Sequence, residues 1–299
     1  MHPIEKIKFK QVPGNHRRNF VCDFLVISFS SYQDRTSISS TVCRGRTTLF
    51  LAAAIMLSIS HVALRKRLPV KKEWKQLAIY GLLNISIYLG LYVIAMQQVS
   101  AGLGSLSVAM NPVLISIMAA IWLKHSVGKV TLISLLLCIA GIVIAAFPLF
   151  KNSYATPGGL GLLLISMVSY SAGAVYFSKK DWSDLHILTI NGWQTLLGGI
   201  FLLPVLLLTY RKEQNHFNLK WAGCVLWLAI IVSIFAIQLW LYLLKRNPVK
   251  ASFWLFLCPV FGFIIAAITL NEPISLFTFT GVTMVIAGLY MVQQKSMRR

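Results

Sequence analysis

Nine long apolar runs dominate the 299-residue sequence. They fall at about 46–64, 76–96, 101–123, 130–150, 158–177, 186–210, 221–244, 251–270 and 274–293. Each is close to the ~20 residues with which a helix, rising 1.5 Å per residue, crosses the hydrocarbon of a bilayer. Gly, Pro, Ser and Asn occur inside them, which spanning helices tolerate and soluble helices usually do not. One such run reads equally well as a buried helix of a soluble core, but nine in one chain do not. A membrane barrel is excluded, because its strands are ~10-residue alternating segments. The sequence predicts an all-α, polytopic membrane protein.

Only 12% of the residues are charged and 57% are hydrophobic. Soluble domains carry about twice that charge, so a soluble enzyme and a disordered chain are both excluded. Five Cys are too few, and odd in number, for a disulfide scaffold. The net charge of +20 is not a nucleic-acid signal. Its Lys and Arg punctuate the apolar runs instead of forming a stripe interleaved with polar and aromatic groups. If the runs are helices 2 to 10, the loops 65–75, 124–129, 178–185 and 245–250 share one side with the C-terminus. That side holds sixteen Lys and Arg, and the opposite side holds four. The positive-inside rule makes the first side, and the C-terminus with it, cytoplasmic.

Residues 1–45 do not fit this pattern. A tenth span at 19–33 would bring Lys6, Lys8, Lys10, Arg17 and Arg18 inside. The candidate is short, however, and contains Asp23, which costs roughly 2.5–3.5 kcal/mol near a helix centre. It also has no small-residue cleavage site of a signal peptide. Either it is a poor first helix held by its neighbours, or this stretch does not encode a first helix.

Sliding the chain by 147 residues aligns 105–144 with 252–291 without gaps. Twelve of the 40 pairs are identical, among them Pro112/Pro259, Thr131/Thr278, Ala140/Ala287 and Gly141/Gly288. Packing helices converge on Ala and Gly, but that does not explain the register of both prolines. The same offset sets Arg46 opposite Trp193, which gives a five-helix second half. An odd number of spans per half requires the halves to lie inverted in the membrane. Inverted repeats are a signature of secondary transporters, with the substrate at the midplane between the halves. The units are 46–150 and 151–293, flanked by the basic segment 1–45 and a basic tail, 294–299.

Several short stretches, in this order, resemble the EamA family of the drug/metabolite transporter superfamily. They are Arg46-Thr-Thr-Leu-Phe-Leu-Ala-Ala-Ala, Val99-Ser-Ala-Gly-Leu-Gly, Asn111-Pro112-Val113 and Leu270-Asn-Glu272-Pro-Ile274, followed by Gly281 and Ala287-Gly288. The resemblance covers roughly 46–293 and implies a ten-helix carrier of the bacterial inner membrane. Two features depart from the family. His125 stands where the family has a Glu matching Glu272, and residues 1–45 lack its first-helix Trp-Gly segment.

No Asp, Glu, Lys or Arg falls at mid-depth in any of the nine runs. Ion-coupled sites usually employ intramembrane carboxylates or His, and anionic substrates favour buried Arg or Lys. A neutral, zwitterionic or apolar small molecule is therefore the expected partner, besides the bilayer itself, in a monomer or homodimer. Glu272 reads as the N-cap carboxylate of the last span. Candidate substrate contacts are Asn84, Tyr88, Asn111, Trp193, Gln194, Gln238, Tyr242 and Trp254. Asn84 and Tyr88 share a helix face, as do Gln238 and Tyr242 in the matching helix, which predicts two walls of one cavity. The competing role for each is an interhelical hydrogen bond. The six His and five Cys form no HExxH, CxxC or GxSxG arrangement. No cofactor and no enzyme activity are expected. The expected function is secondary transport of a small organic metabolite, amino-acid-like or drug-like. The alternative is a membrane protein that has lost its first helix and no longer transports.

Overall fold

The computed structural model describes residues 38–122, 129–151, 155–209, 219–256, 258, 261–262, 264–265 and 275–297. Every regular element among these residues is helical. Helix α1 runs over Ile38–Leu57 and continues as a π-type stretch, Ser58–Ala63. Helix α2 joins Lys71–Gly81, a π stretch Leu82–Ile87 and Tyr88–Ala95. Helix α3 has two pieces, Ala101–Val108 and Asn111–Trp122. Helices α4 (Lys129–Lys151), α5 (Pro157–Lys179) and α6 (Ile187–Thr209) follow. Helix α7 joins Leu219–Leu226, a π stretch Trp227–Ala236 and Ile237–Arg246. A short α8, Pro248–Ser252, passes into the 3₁₀ turn Phe253–Phe256, and α9 is Leu276–Met297.

Seven helices among the described residues are long and apolar enough to cross a membrane: Gly45–Ala63, Lys71–Ala95, Ala101–Trp122, Lys129–Pro148, Pro157–Lys179, Ile187–Pro204 and Trp221–Arg246. Leu276–Met291 adds a shorter apolar helix. These match eight of the nine expected runs. The run 251–270 is described only in part, and the candidate 19–33 lies outside the described residues, as do Asp23, His125, Pro259 and Glu272.

Polar residues at the helix starts explain several boundaries. Ser100 caps α3 by accepting from Leu103 N, and Thr156 caps α5 by accepting from Gly159 N, with Pro157 in the first turn. At α9 the capping group is Ser275, which exchanges hydrogen bonds with Thr278. The cap expected of Glu272 lies outside the described residues. Pro112 accounts for the break in α3. It has no N–H for the carbonyl of Val108, so Ala109 and Met110 bond three residues back, to Leu106 and Ser107.

The π stretches of α2 and α7 coincide under the 147-residue offset. Backbone groups released by i→i+5 bonding need other partners in a bilayer. Ser169 Oγ of α5 donates to the Leu83 carbonyl at 2.8 Å, and Ser233 Oγ donates to that of Leu228 at 2.9 Å.

Helices α4 and α9 run antiparallel and pack closely along their length. A Cβ on Gly141 would stand 2.6 Å from the Gly281 carbonyl oxygen, and one on Gly288 would stand 2.9 Å from that of Ser134. Small residues permit this approach, and in lipid such packing replaces the hydrophobic drive. Between the two contacts, Cys138 Sγ donates to the Val285 carbonyl at 3.8 Å.

One end of the bundle is tied down by side chains. Arg67 binds both Glu73 carboxylate oxygens, at 2.8 and 2.7 Å, and Val70 N donates to Glu73 Oε2 at 2.8 Å. Glu73 thus fixes the 65–70 loop and starts α2. Glu73→Ala is expected to cost about 1 kcal/mol, the usual worth of a helix-start carboxylate. A thermal melt of the purified protein checks this, and Arg67→Ala should add little in the double variant.

Candidate functional site

A cavity of about 170 Å³ lies where α1, α2, α3, α5, α6, α7 and the segment after α8 meet. Helix α2 presents one face to it through Asn84, Ile85, Tyr88, Leu89 and Tyr92, at the spacing of a helical stripe. Helix α3 contributes Ser105, Val108 and Asn111, which straddle its break. The π stretch of α7 contributes Leu228, Val232, Ser233 and Ala236. Thr48, Tyr170 and Thr195 enter from α1, α5 and α6. Among the described lining residues none is Asp, Glu, Lys, Arg or His.

Four rings form a continuous path along the cavity. Tyr92 and Tyr88 lie 5.7 Å apart, Tyr88 and Tyr170 4.7 Å, and Tyr170 and Trp240 6.3 Å in a stacked arrangement. A chain of amides stands behind the cavity. Asn191 Nδ2 donates to the Ser233 carbonyl at 2.9 Å, Gln194 Nε2 to Asn191 Oδ1 at 3.0 Å, and Asn84 Nδ2 to Gln194 Oε1 at 3.2 Å. The direction of this chain is fixed, since a backbone carbonyl can only accept. Each amide must then present its NH₂ backward along the relay. Asn84 is left with its acceptor, Oδ1, unused by any described residue. Asn111 is the reverse case. Its Oδ1 accepts from Ser171 Oγ at 3.3 Å, and its NH₂ has no hydrogen bond to any described residue.

Of the eight residues singled out from the sequence, Asn84, Tyr88 and Asn111 line the cavity. Gln194 stands behind the wall as the middle of the relay, fully buried. Trp193 lies near the Arg67–Glu73 end of the bundle. It donates to His61 Nε2 at 3.0 Å and packs edge-on against Trp74 at 4.6 Å. Tyr242 is 43% exposed and engages Arg246, and Trp254 sits half-buried in the turn after α8, away from the cavity. Gln238 faces elsewhere too, with Oε1 shielded and taking no hydrogen bond from the described residues. The expected second wall of Gln238 and Tyr242 is therefore replaced by Ile237 and Trp240. At the 147-residue offset Gln238 and Tyr242 match Leu91 and Ala95, not Asn84 and Tyr88, and neither Leu91 nor Ala95 lines the cavity.

Thr48, Ser105, Thr195, Ser233 and Cys258 line the cavity without being sequence-predicted contacts. A signal for some of them existed in the repeat. Thr48/Thr195, Ile85/Val232, Leu89/Ala236, Val108/Leu255 and Asn111/Cys258 are each 147 residues apart, and all ten line the cavity.

The pattern of the EamA-like transporter family matches residues 45–147 and 157–293. The uncharacterized transporter YvbV of Bacillus subtilis (strain 168) is 28% identical over 251 residues, covering 82% of this chain and 80% of its own length. An uncharacterized transporter of Archaeoglobus fulgidus is also 28% identical over 251 residues, covering 83% and 87%. Protein PecM of Dickeya dadantii (strain 3937) is 27% identical over 233 residues, covering 77% and 76%. One crystal structure shares the fold with a TM-score of 0.66 at 15% identity, covering 95% of this chain and 96% of the other. With the apolar helices described above, these matches identify an integral membrane protein and a transporter. The chain belongs to the EamA-like transporter family.

Proposed function

We infer that the chain is a secondary transporter of a small organic solute, working by alternating access between two inverted repeats. The carrying observation is the uncharged cavity, whose walls come from both parts of the chain and pair up at a constant offset of 147 residues. The repeats are 46–150 and 151–293, with 294–299 a basic tail and 1–45 the segment that would supply a tenth span. The α4–α9 pair supports this arrangement. Cys138 meets Val285, its own counterpart, and the contact of Gly141 with Gly281 has its counterpart in that of Gly288 with Ser134. An antiparallel helix pair whose contacts map onto themselves has a two-fold axis across the helices, hence in the membrane plane.

On the positive-inside rule, the basic loops at 65–70, 179–180 and 245–250 support a reading in which their end of the bundle, with the C-terminus, faces the cytoplasm from a bacterial inner membrane. At that end Trp193 bonds His61 and packs edge-on against Trp74, while Tyr80 stacks on Phe177 with Trp182 tilted against both. In this reading the conformation is closed to the cytoplasm, and transport requires that aromatic packing to part. Purified protein in liposomes, tested by counterflow across a metabolite panel, is expected to show saturable exchange of at least one solute. No exchange of any solute would sink the reading.

A second reading, a membrane protein that no longer transports, is favoured by one observation: the family match begins at residue 45. Cysteine labelling tests its premise. If Lys10→Cys and Arg44→Cys are labelled from the same side of the membrane, 19–33 does not cross, and this second reading gains.

A further inference from the structure

We propose that the cavity takes an uncharged, single-ring aromatic solute that carries both a hydrogen-bond donor and an acceptor, as a carboxamide does. This rests on reading the same cavity as the transport site.

Size sets the first limit. An apolar cavity of about 150 Å³ accommodates one benzene ring, and this one measures about 170 Å³. A nucleotide or a disaccharide does not fit that space. The rings set the second. Tyr92, Tyr88, Tyr170 and Trp240 form a path of π faces and edges, and a further ring joins such a path in an offset or edge-to-face arrangement. A saturated solute of the same volume gains no comparable contact.

Charge and hydrogen bonding set the third and fourth. None of the described lining residues bears a carboxylate, an ammonium, a guanidinium or an imidazole. An ion entering would leave its hydration with no counter-ion in return. Aromatic faces attract cations, but here that attraction would have to offset the ion's lost hydration with no carboxylate among the described lining residues. Two polar groups remain for a neutral solute. The relay from the Ser233 carbonyl leaves Asn84 only an acceptor to offer, so the solute must supply an N–H or O–H. Asn111, with its oxygen held by Ser171, offers its NH₂, so the solute must supply an oxygen or ring nitrogen. Thr48 adds a buried Oγ1 without a hydrogen-bond partner among the described residues on the same lining. Sites built to hydrogen-bond a ligand group reject analogues that lack it far more strongly than sites built on shape alone.

The test is equilibrium binding of radiolabelled benzamide to the purified full-length protein in detergent, with unlabelled competitors. Benzamide is expected to bind saturably. Benzoate, benzylammonium and cyclohexanecarboxamide, which alter the charge or the ring, are each expected to compete at least tenfold more weakly. Asn84→Leu and Asn111→Leu should each weaken benzamide at least tenfold, and Tyr170→Leu should erase the preference over cyclohexanecarboxamide. If Asn84→Leu does not accumulate, Asn84→Asp keeps the size and should shift the preference toward benzylammonium. The assignment is overturned if either charged analogue matches benzamide in the unaltered protein, or if benzamide does not bind saturably. Benzamide binding without flux of any solute into liposomes would remove the transporter reading and leave the cavity assignment. Flux of a charged solute, blocked by Asn84→Ala, with no binding of benzamide would do the opposite.

Discussion

Asn84→Ala is expected to reduce saturable flux at least tenfold while the protein still reaches the membrane in normal amount. Two effects compete, and their sizes decide the outcome. The substitution removes the bond from Asn84 Nδ2 to Gln194, and interhelical hydrogen bonds in membranes average only about 0.6 kcal/mol. Gln194 keeps its bond to Asn191, so the relay is shortened and not dismantled. Folding should absorb that loss. The same substitution also deletes the one acceptor the relay delivers to the cavity. Removing a hydrogen bond made to a bound solute in a desolvated site costs about 1–3 kcal/mol, and the middle of that range, about 2 kcal/mol, is roughly 30-fold in rate or affinity. Flux per folded molecule in liposomes, normalised by size-exclusion recovery, separates the two. Equal loss of flux and recovery would assign Asn84 to packing alone.

Gly281→Leu is expected to have the larger effect on the fold. A Cβ there meets the backbone oxygen of Gly141, with the Ala145 backbone nitrogen at 3.0 Å. These are main-chain atoms of a neighbouring helix and cannot rotate aside, so α4 and α9 must separate along their length. Overpacking costs typically 1–3 kcal/mol where side chains can adjust, and here they cannot. We expect the melting midpoint to fall by more than 10 °C, or the protein not to accumulate. Gly161→Leu is the matched control, because nothing stands within 4 Å of its Cβ direction. A normal melt for Gly281→Leu would mean that the α4–α9 contact does not hold the bundle together.

The helices were legible because a bilayer demands about 20 apolar residues at every crossing, whatever the packing. The matching of α4 with α9 was legible for a different reason. Gly141 and Gly288 recur at one offset because each must let a neighbouring backbone approach. The cavity was legible only in part. Asn84, Tyr88 and Asn111 stand out as polar or aromatic residues in apolar runs, and they line it. Gln238 and Tyr242 stand out equally, but at the 147-residue offset they match Leu91 and Ala95, which also face away from the described lining. Matching i,i+4 spacing within each helix does not set the register between the two halves. Trp193 drew attention as a large polar aromatic, and its role is to pair with His61. Thr48 and Thr195 passed unnoticed because a hydroxyl in a spanning helix usually bonds its own backbone. Only their identical positions in the two halves distinguish them.

None of the residues lining the cavity comes from α4 or α9. In the proposed site, the pair whose glycines lock together takes no part in contacting a solute. Recognition and assembly then fall on different helices, and a change of cargo need not disturb the frame. On this reading, new solutes would be acquired by substitutions on α1, α2, α3, α5, α6 and α7. For an engineer the same separation marks α4 and α9 as the part to keep when transplanting a foreign specificity into this chain.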